Sequence, residues 1–126
     1  MKKLALILSA LFLAGCGVSG AELQYTQISS AEAASLMESE TNYIILDVRT
    51  PEEYAGGHIP NAINIPNESI GTEEISELPD KDQLILVYCR SGNRSKQASQ
   101  KLAHLGYTDI REFGGINSWP GDIETN

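Results

Sequence analysis

Gln83-Leu84-Ile85-Leu86-Val87-Tyr88-Cys89-Arg90-Ser91-Gly92-Asn93-Arg94-Ser95 holds the change of pattern that decides the fold. Residues 83–88 read as a strand, their apolar run from Leu84 onward rich in branched side chains, as expected of one covered on both faces. Residues 90–94 read as a short polar loop around Gly92. Ser95 to Leu105 then reads as an amphipathic helix, with Ala98, Leu102 and Leu105 at helical spacing and Gly106 as the stop. A buried strand that turns directly into a helix is the repeating unit of a parallel α/β sheet.

The flanking sequence repeats this grammar. Tyr43 to Val48 is a second buried strand, and Tyr25 to Ile28 a short one. Ser29 with Glu32, and Thr50 with Glu53, have capping-box spacing, and Pro51 suits the first helical position. These signals predict a helix to about Glu38 and a shorter one ending at Gly56-Gly57. A short strand is expected around Ile63-Asn64-Ile65, and a short helix within Asn67 to Leu78, before a turn at Pro79-Asp80. Thr108 to Phe113 reads as the last strand, and Gly114-Gly115 leads into a short helix near Trp119. Alternating strands and helices imply a three-layer α/β/α domain. Ligands of such sheets lie beyond the carboxyl ends of the strands, and Cys89 stands at such an end.

The surroundings of Cys89 favour its anion. The following helix presents unpaired N–H groups and a partial positive charge. A tight loop eased by Gly92 can turn successive N–H groups inward as a nest. Arg90 and Arg94 add formal charge, and Ser91 and Ser95 can donate hydrogen bonds. A cysteine with a pKa of about 8.5 is only ~3% thiolate at pH 7, whereas one lowered to about 6.5 is ~75%. The same nest suits the terminal sulfur of a persulfide. The blander reading is a small buried hydrophobe at a strand end.

The stretch Cys89 to Ser95 resembles the active-site loop of the rhodanese family. Leu46-Asp47-Val48-Arg49-Thr50-Pro51-Glu52-Glu53-Tyr54, with Gly57-His58-Ile59-Pro60-Asn61-Ala62, resembles its N-terminal signature, and Gly114-Gly115-Ile116 with Trp119 its C-terminal one. The resemblance runs from about Gln27 to Trp119. It implies one rhodanese-like domain over 25–126, a central five-stranded parallel sheet between helices, and Cys89 as the catalytic persulfide carrier. The residues expected to hold the substrate are Arg90, Ser91, Gly92, Asn93, Arg94 and Ser95. Asp47 and Arg49 resemble the family's Asp-x-Arg, which implies support of that loop. Asn61 replaces the usual Gly after His-Ile-Pro, and Asn also tolerates positive φ. The chain stops soon after Trp119, so the usual last helix is expected to be short.

The function implied is sulfur transfer from a small sulfur-containing donor anion, such as thiosulfate, to an external thiol or cyanide. No cofactor or metal is expected. His58 reads as a packing residue in a turn, His104 as surface, and Tyr54 and Trp119 as core. Two other readings stay open. One is a carrier that holds or senses sulfur without free turnover. The other is a cysteine-based phosphatase or arsenate reductase, but phosphatase loops place one residue more between cysteine and arginine than the four found here.

The 126 residues suffice for one domain. Residues 1–15 read as a lipoprotein signal peptide. Lys2 and Lys3 open it, the apolar run Leu4 to Leu13 is about half of a membrane span, and Leu13-Ala14-Gly15-Cys16 resembles a lipobox. Cys16 is then the lipid attachment site and 16–24 a tether. The protein is expected to be exported and held on a bacterial membrane by lipid. Without Lys2 and Lys3 the net charge falls from −8 to −10, which excludes a general nucleic-acid surface. With Cys16 acylated, Cys89 is the only free thiol.

Overall fold

A computed structural model describes residues 24–125. The proposed signal peptide and Cys16 lie outside the described residues. The elements are β1 (Thr26–Gln27), α1 (Ser30–Ser39), β2 (Tyr43–Asp47), α2 (Pro51–Ala55), β3 (Ile63–Asn64), a 3-10 turn at Asn67–Ser69, β4 (Leu84–Cys89), α3 (Asn93–His104), β5 (Asp109–Gly115) and a 3-10 turn at Ile116–Ser118. The five strands form one parallel sheet in the order β1-β5-β4-β2-β3. Both expected capping boxes are present. Ser29 Oγ accepts from Glu32 N while Ser29 N donates to Glu32, and Thr50 and Glu53 exchange the same pair of bonds.

All six residues of β4 are buried. Their alternation divides the core. Ile85, Val87 and Cys89 pack with Ala98 and Leu102 of α3, together with Leu46, Val48 and Ile110. Leu84, Leu86 and Tyr88 pack on the opposite face with Ala33 of α1, Ile45, Ile59 and Phe113. This two-residue period points Cys89 toward α3 and its neighbour Tyr88 the other way.

Two expectations need correction. The helix after Cys89 begins at Asn93, so Asn93 and Arg94 belong to its first turn and the loop is 90–92. The N-cap is Gly92 at φ +114, which lets the chain turn sharply without a capping side chain. Between Asn67 and Leu78 only the 3-10 turn forms. None of residues 71–77 is buried, so a helix there would have no face packed on the core. Asn61 adopts φ +72, the conformation that Gly would otherwise supply.

Candidate active site

Cys89 ends the central strand and is 1% exposed. The Gly92 N–H donates to its Sγ at 3.0 Å, and the Cys89 thiol lies 3.4 Å from Ser95 Oγ. Burial pushes the thiol up, but hydrogen bonds from the Ser95 hydroxyl and from the N–H groups of Ser95, Gly92 and Ser91 outweigh it. The net effect holds the Cys89 pKa below its ordinary value. The nest is therefore built from backbone and one hydroxyl.

Packing behind the loop sets its shape. Val87 pairs with Glu112 but Cys89 pairs with Gly115, so β5 carries one extra residue between them. Gly114 turns at φ +89, and Gly115 presses against the Arg90–Ser91 peptide so closely that a Cβ would overlap the Arg90 carbonyl. Within the bulge Gly114 N donates to Glu112 at 2.8 Å, and the same Glu112 oxygen accepts from Ser95 Oγ at 2.6 Å.

The two loop arginines do different things. Arg94 makes two bonds to Glu53, at 2.8 and 3.1 Å. The hydrogen bonds from Arg94 lower the Glu53 pKa to about 2, against an opposing effect of burial and with help from Thr50. Arg90 is exposed and has no ion-pair partner among the described residues. It borders a cleft of about 300 Å³ lined also by Arg49, Glu52, Glu53, Gly57 and Asn117.

Asp47 and Arg49 form a buried pair on the Tyr88 side of the sheet, with Nη2–Oδ2 at 2.6 Å. Arg49 also donates to Gly57 O at 2.7 Å, and Asp47 Oδ2 accepts from Tyr88 OH at 2.7 Å. The pair thus joins β2, β4 and the 57–59 turn, and its hydrogen bonds end at the Tyr88 side chain, short of the loop. His58 stacks on Tyr54 and its Nδ1 is 2.8 Å from Tyr54 O, consistent with packing. Trp119 packs against Phe113, and His104 sits in the last turn of α3.

A family model for the rhodanese-like domain matches residues 29–122. The chain belongs to the rhodanese-like domain family. It is 39% identical over 71 residues to thiosulfate sulfurtransferase PspE of Escherichia coli, covering 56% of this chain and 68% of that one. It is 34% identical over 105 residues to thiosulfate sulfurtransferase GlpE of Coxiella burnetii, covering 82% and 95%. Among solved structures it is similar to a rhodanese-related protein from Thermoplasma volcanium, with TM-score 0.68 and 32% identity over 81% of this chain and all of that one. A rhodanese with anions from E. coli matches with TM-score 0.61 and 35% identity, over 67% and 99%. These relatives support sulfurtransferase activity as a class.

Within this rhodanese-like domain the structure brings Cys89, Gly92 and Ser95 into direct contact and sets Arg94 beside them. Two residues at the site were not singled out in the sequence. Glu53 was read only as a cap, although it also holds Arg94. Glu112 is a carboxylate two residues from Ile110 in a strand, on the inward parity, and that position was the available signal.

Proposed function

We propose that the protein transfers sulfane sulfur through a Cys89 persulfide, taking it from a donor such as thiosulfate and passing it to cyanide or a thiol. The observation that carries this reading is the nest of N–H groups and the Ser95 hydroxyl converging on a buried Sγ whose pKa is lowered. Cys89 Sγ as thiolate attacks the outer sulfur of the donor. The S–S bonding pair leaves with sulfite, and the terminal sulfur of Cys89–S–S⁻ takes up the negative charge. An acceptor nucleophile then attacks that terminal sulfur, and Cys89 leaves as thiolate. This is ping-pong covalent catalysis. The named relatives are thiosulfate sulfurtransferases, which supports thiosulfate as the donor class.

Only four residues separate Cys89 from Arg94, and Arg94 is held by Glu53. Both features suit capture of a single sulfur atom better than the wrapping of a phosphate. The test is intact-protein mass after exposure to thiosulfate. A gain of roughly 32 Da, one sulfur atom, removed by cyanide and absent in Cys89→Ser, is the expected result. Turnover of thiosulfate and cyanide to thiocyanate separates an enzyme from a carrier. Hydrolysis of an aryl phosphate through Cys89, without any sulfur adduct, would replace the proposal with the phosphatase reading.

We also propose that lipid on Cys16 tethers the domain to the periplasmic or extracytoplasmic face of a bacterial membrane. The support is the sequence Leu13-Ala14-Gly15-Cys16 after a short apolar run. Among the described residues no helix is long and apolar enough to cross a membrane.

A further inference from the structure

Cys89, Ser95 and Glu112 form an unbroken hydrogen-bonded row inside the domain. The Cys89 thiol is 3.4 Å from Ser95 Oγ, and Ser95 Oγ is 2.6 Å from Glu112 Oε2. All three are buried, at 1%, 0% and 2% exposure. Ser95 Oγ also lies 3.0 Å from Gly92 O and 3.3 Å from Gly114 O, but its single proton can serve one acceptor at a time. The carboxylate is the shortest of these contacts and, for an ionised Glu112, the strongest acceptor. In the resting thiol state the row therefore runs S–H to Oγ, then O–H to Oε2.

We propose that Glu112 is a positioning residue for Cys89 that takes up the thiol proton through the Ser95 hydroxyl when the thiolate forms. The S–H bond breaks and its proton passes to Ser95 Oγ, which releases its own proton to Glu112 Oε2. The negative charge moves from carboxylate to sulfur. No electrons change hands and no further reactant is needed. Ser95 is left with its O–H directed at the new thiolate, the arrangement the anion requires.

Electrostatics favours this route over simple loss of the proton. Ionising Cys89 beside an ionised Glu112 would put two negative charges in one dry pocket. Transfer along the row leaves the total charge unchanged. The Gly114 N–H, aimed at Glu112 Oε2 by the β5 bulge at 2.8 Å, keeps the carboxyl group in place while the hydroxyl reorients. The other titratable groups facing this row are few. Arg94 on α3 feels the charge of Cys89 and is already paired with Glu53 of α2. Tyr25, just before β1, has its phenol pushed up by burial and then by Glu112.

This inference deepens the reading of Cys89 as nucleophile, but its test needs no sulfur donor and so can fail or succeed separately. The rate of iodoacetamide modification at Cys89 is followed across pH by peptide mass spectrometry of the reduced full chain. A shared proton gives a two-step profile with residual reactivity on the acid side. Glu112→Gln is expected to collapse this to one step and to cut the acid-side rate about tenfold. Ser95→Ala should do the same with Glu112 intact, and Ser95→Thr should restore the two steps. If Glu112→Gln does not fold, the Ser95 pair decides. The proposal is overturned if the variants keep the wild-type profile. A uniform slowing at every pH, as for a structural role, would also overturn it. So would faster reaction of Glu112→Gln at every pH, as for a carboxylate that merely repels the thiolate.

Discussion

Arg94 and Glu53 form a two-bonded pair at the mouth of the site, Nη1–Oε1 at 2.8 Å and Nη2–Oε2 at 3.1 Å. The pair ties the first turn of α3 to α2. It means that the arginine proposed to meet an anionic donor already has a carboxylate across its fork, while Arg90 at the rim has none among the described residues. The site therefore holds its own counter-charge against the loop.

Opposite effects on donor capture are expected from the two partners. Arg94→Ala removes a charge beside the nest and should raise KM for thiosulfate by about 10- to 100-fold, the equivalent of a charge-assisted hydrogen bond of roughly 1.5–3 kcal/mol. Glu53→Gln frees the guanidinium and should lower that KM. Thiocyanate formation with varied thiosulfate measures both. An unchanged KM in Arg94→Ala would show that Arg94 serves only to join the helices.

The same pair makes stability depend on acid. The folded Glu53 pKa is lowered to about 2 from its ordinary value of 4.5, mainly by Arg94. A depressed carboxylate stabilises the fold above its unfolded pKa and loses that contribution as pH falls through its folded one. The contribution should thus be complete above about pH 5 and gone near pH 2. It is of order 1 kcal/mol, because the pair is partly solvated. The Tm difference between wild type and Glu53→Gln, measured across pH, should be constant above that window and shrink within it. A difference that persists at pH 2 would contradict the assignment.

Gly115→Ala should damage the site more than the fold. Gly115 has ordinary extended backbone, φ −139, so its constraint is the contact of its Cα with the Arg90–Ser91 peptide. An added methyl must displace the loop, at a cost of about 1–3 kcal/mol. That displacement takes the Gly92 N–H away from Sγ. The expected signature is a modest fall in Tm together with a Cys89 alkylation profile shifted toward that of an ordinary thiol. Unaltered alkylation would mean that the loop holds its shape without this contact.

Expression of the full chain in a bacterial host should yield membrane-associated protein whose first residue is acylated Cys16. Mass spectrometry of the N-terminal peptide reads both the residue and the modification. Cys16→Ala should release the protein from the membrane fraction. A mature chain that begins elsewhere without lipid would remove the tether from the proposal.

The order of elements, both capping boxes and the placement of Cys89 at the end of a central strand were legible from local pattern alone. Tyr43 to Leu46 and Leu84 to Cys89 are continuous apolar runs, as strands buried on both faces require. Ser29 with Glu32 and Thr50 with Glu53 satisfy helix ends within four residues of chain, so nothing distant was needed to see them. The start of α3 was read two residues late, because Gly92 caps by conformation and has no side chain to announce it. What only the tertiary structure decided were relations across long sequence separations. Glu53 meets Arg94 because α2 and α3 converge at one end of the sheet, and Glu112 meets Ser95 because it shares the α3 side of the sheet with Ile110 and Val87, its register partner in β4. A thiol's neighbourhood depends on which groups the packed chain brings within a few ångströms of it. The sequence by itself determined the position of Cys89 and its loop, and packing determined which carboxylates face them.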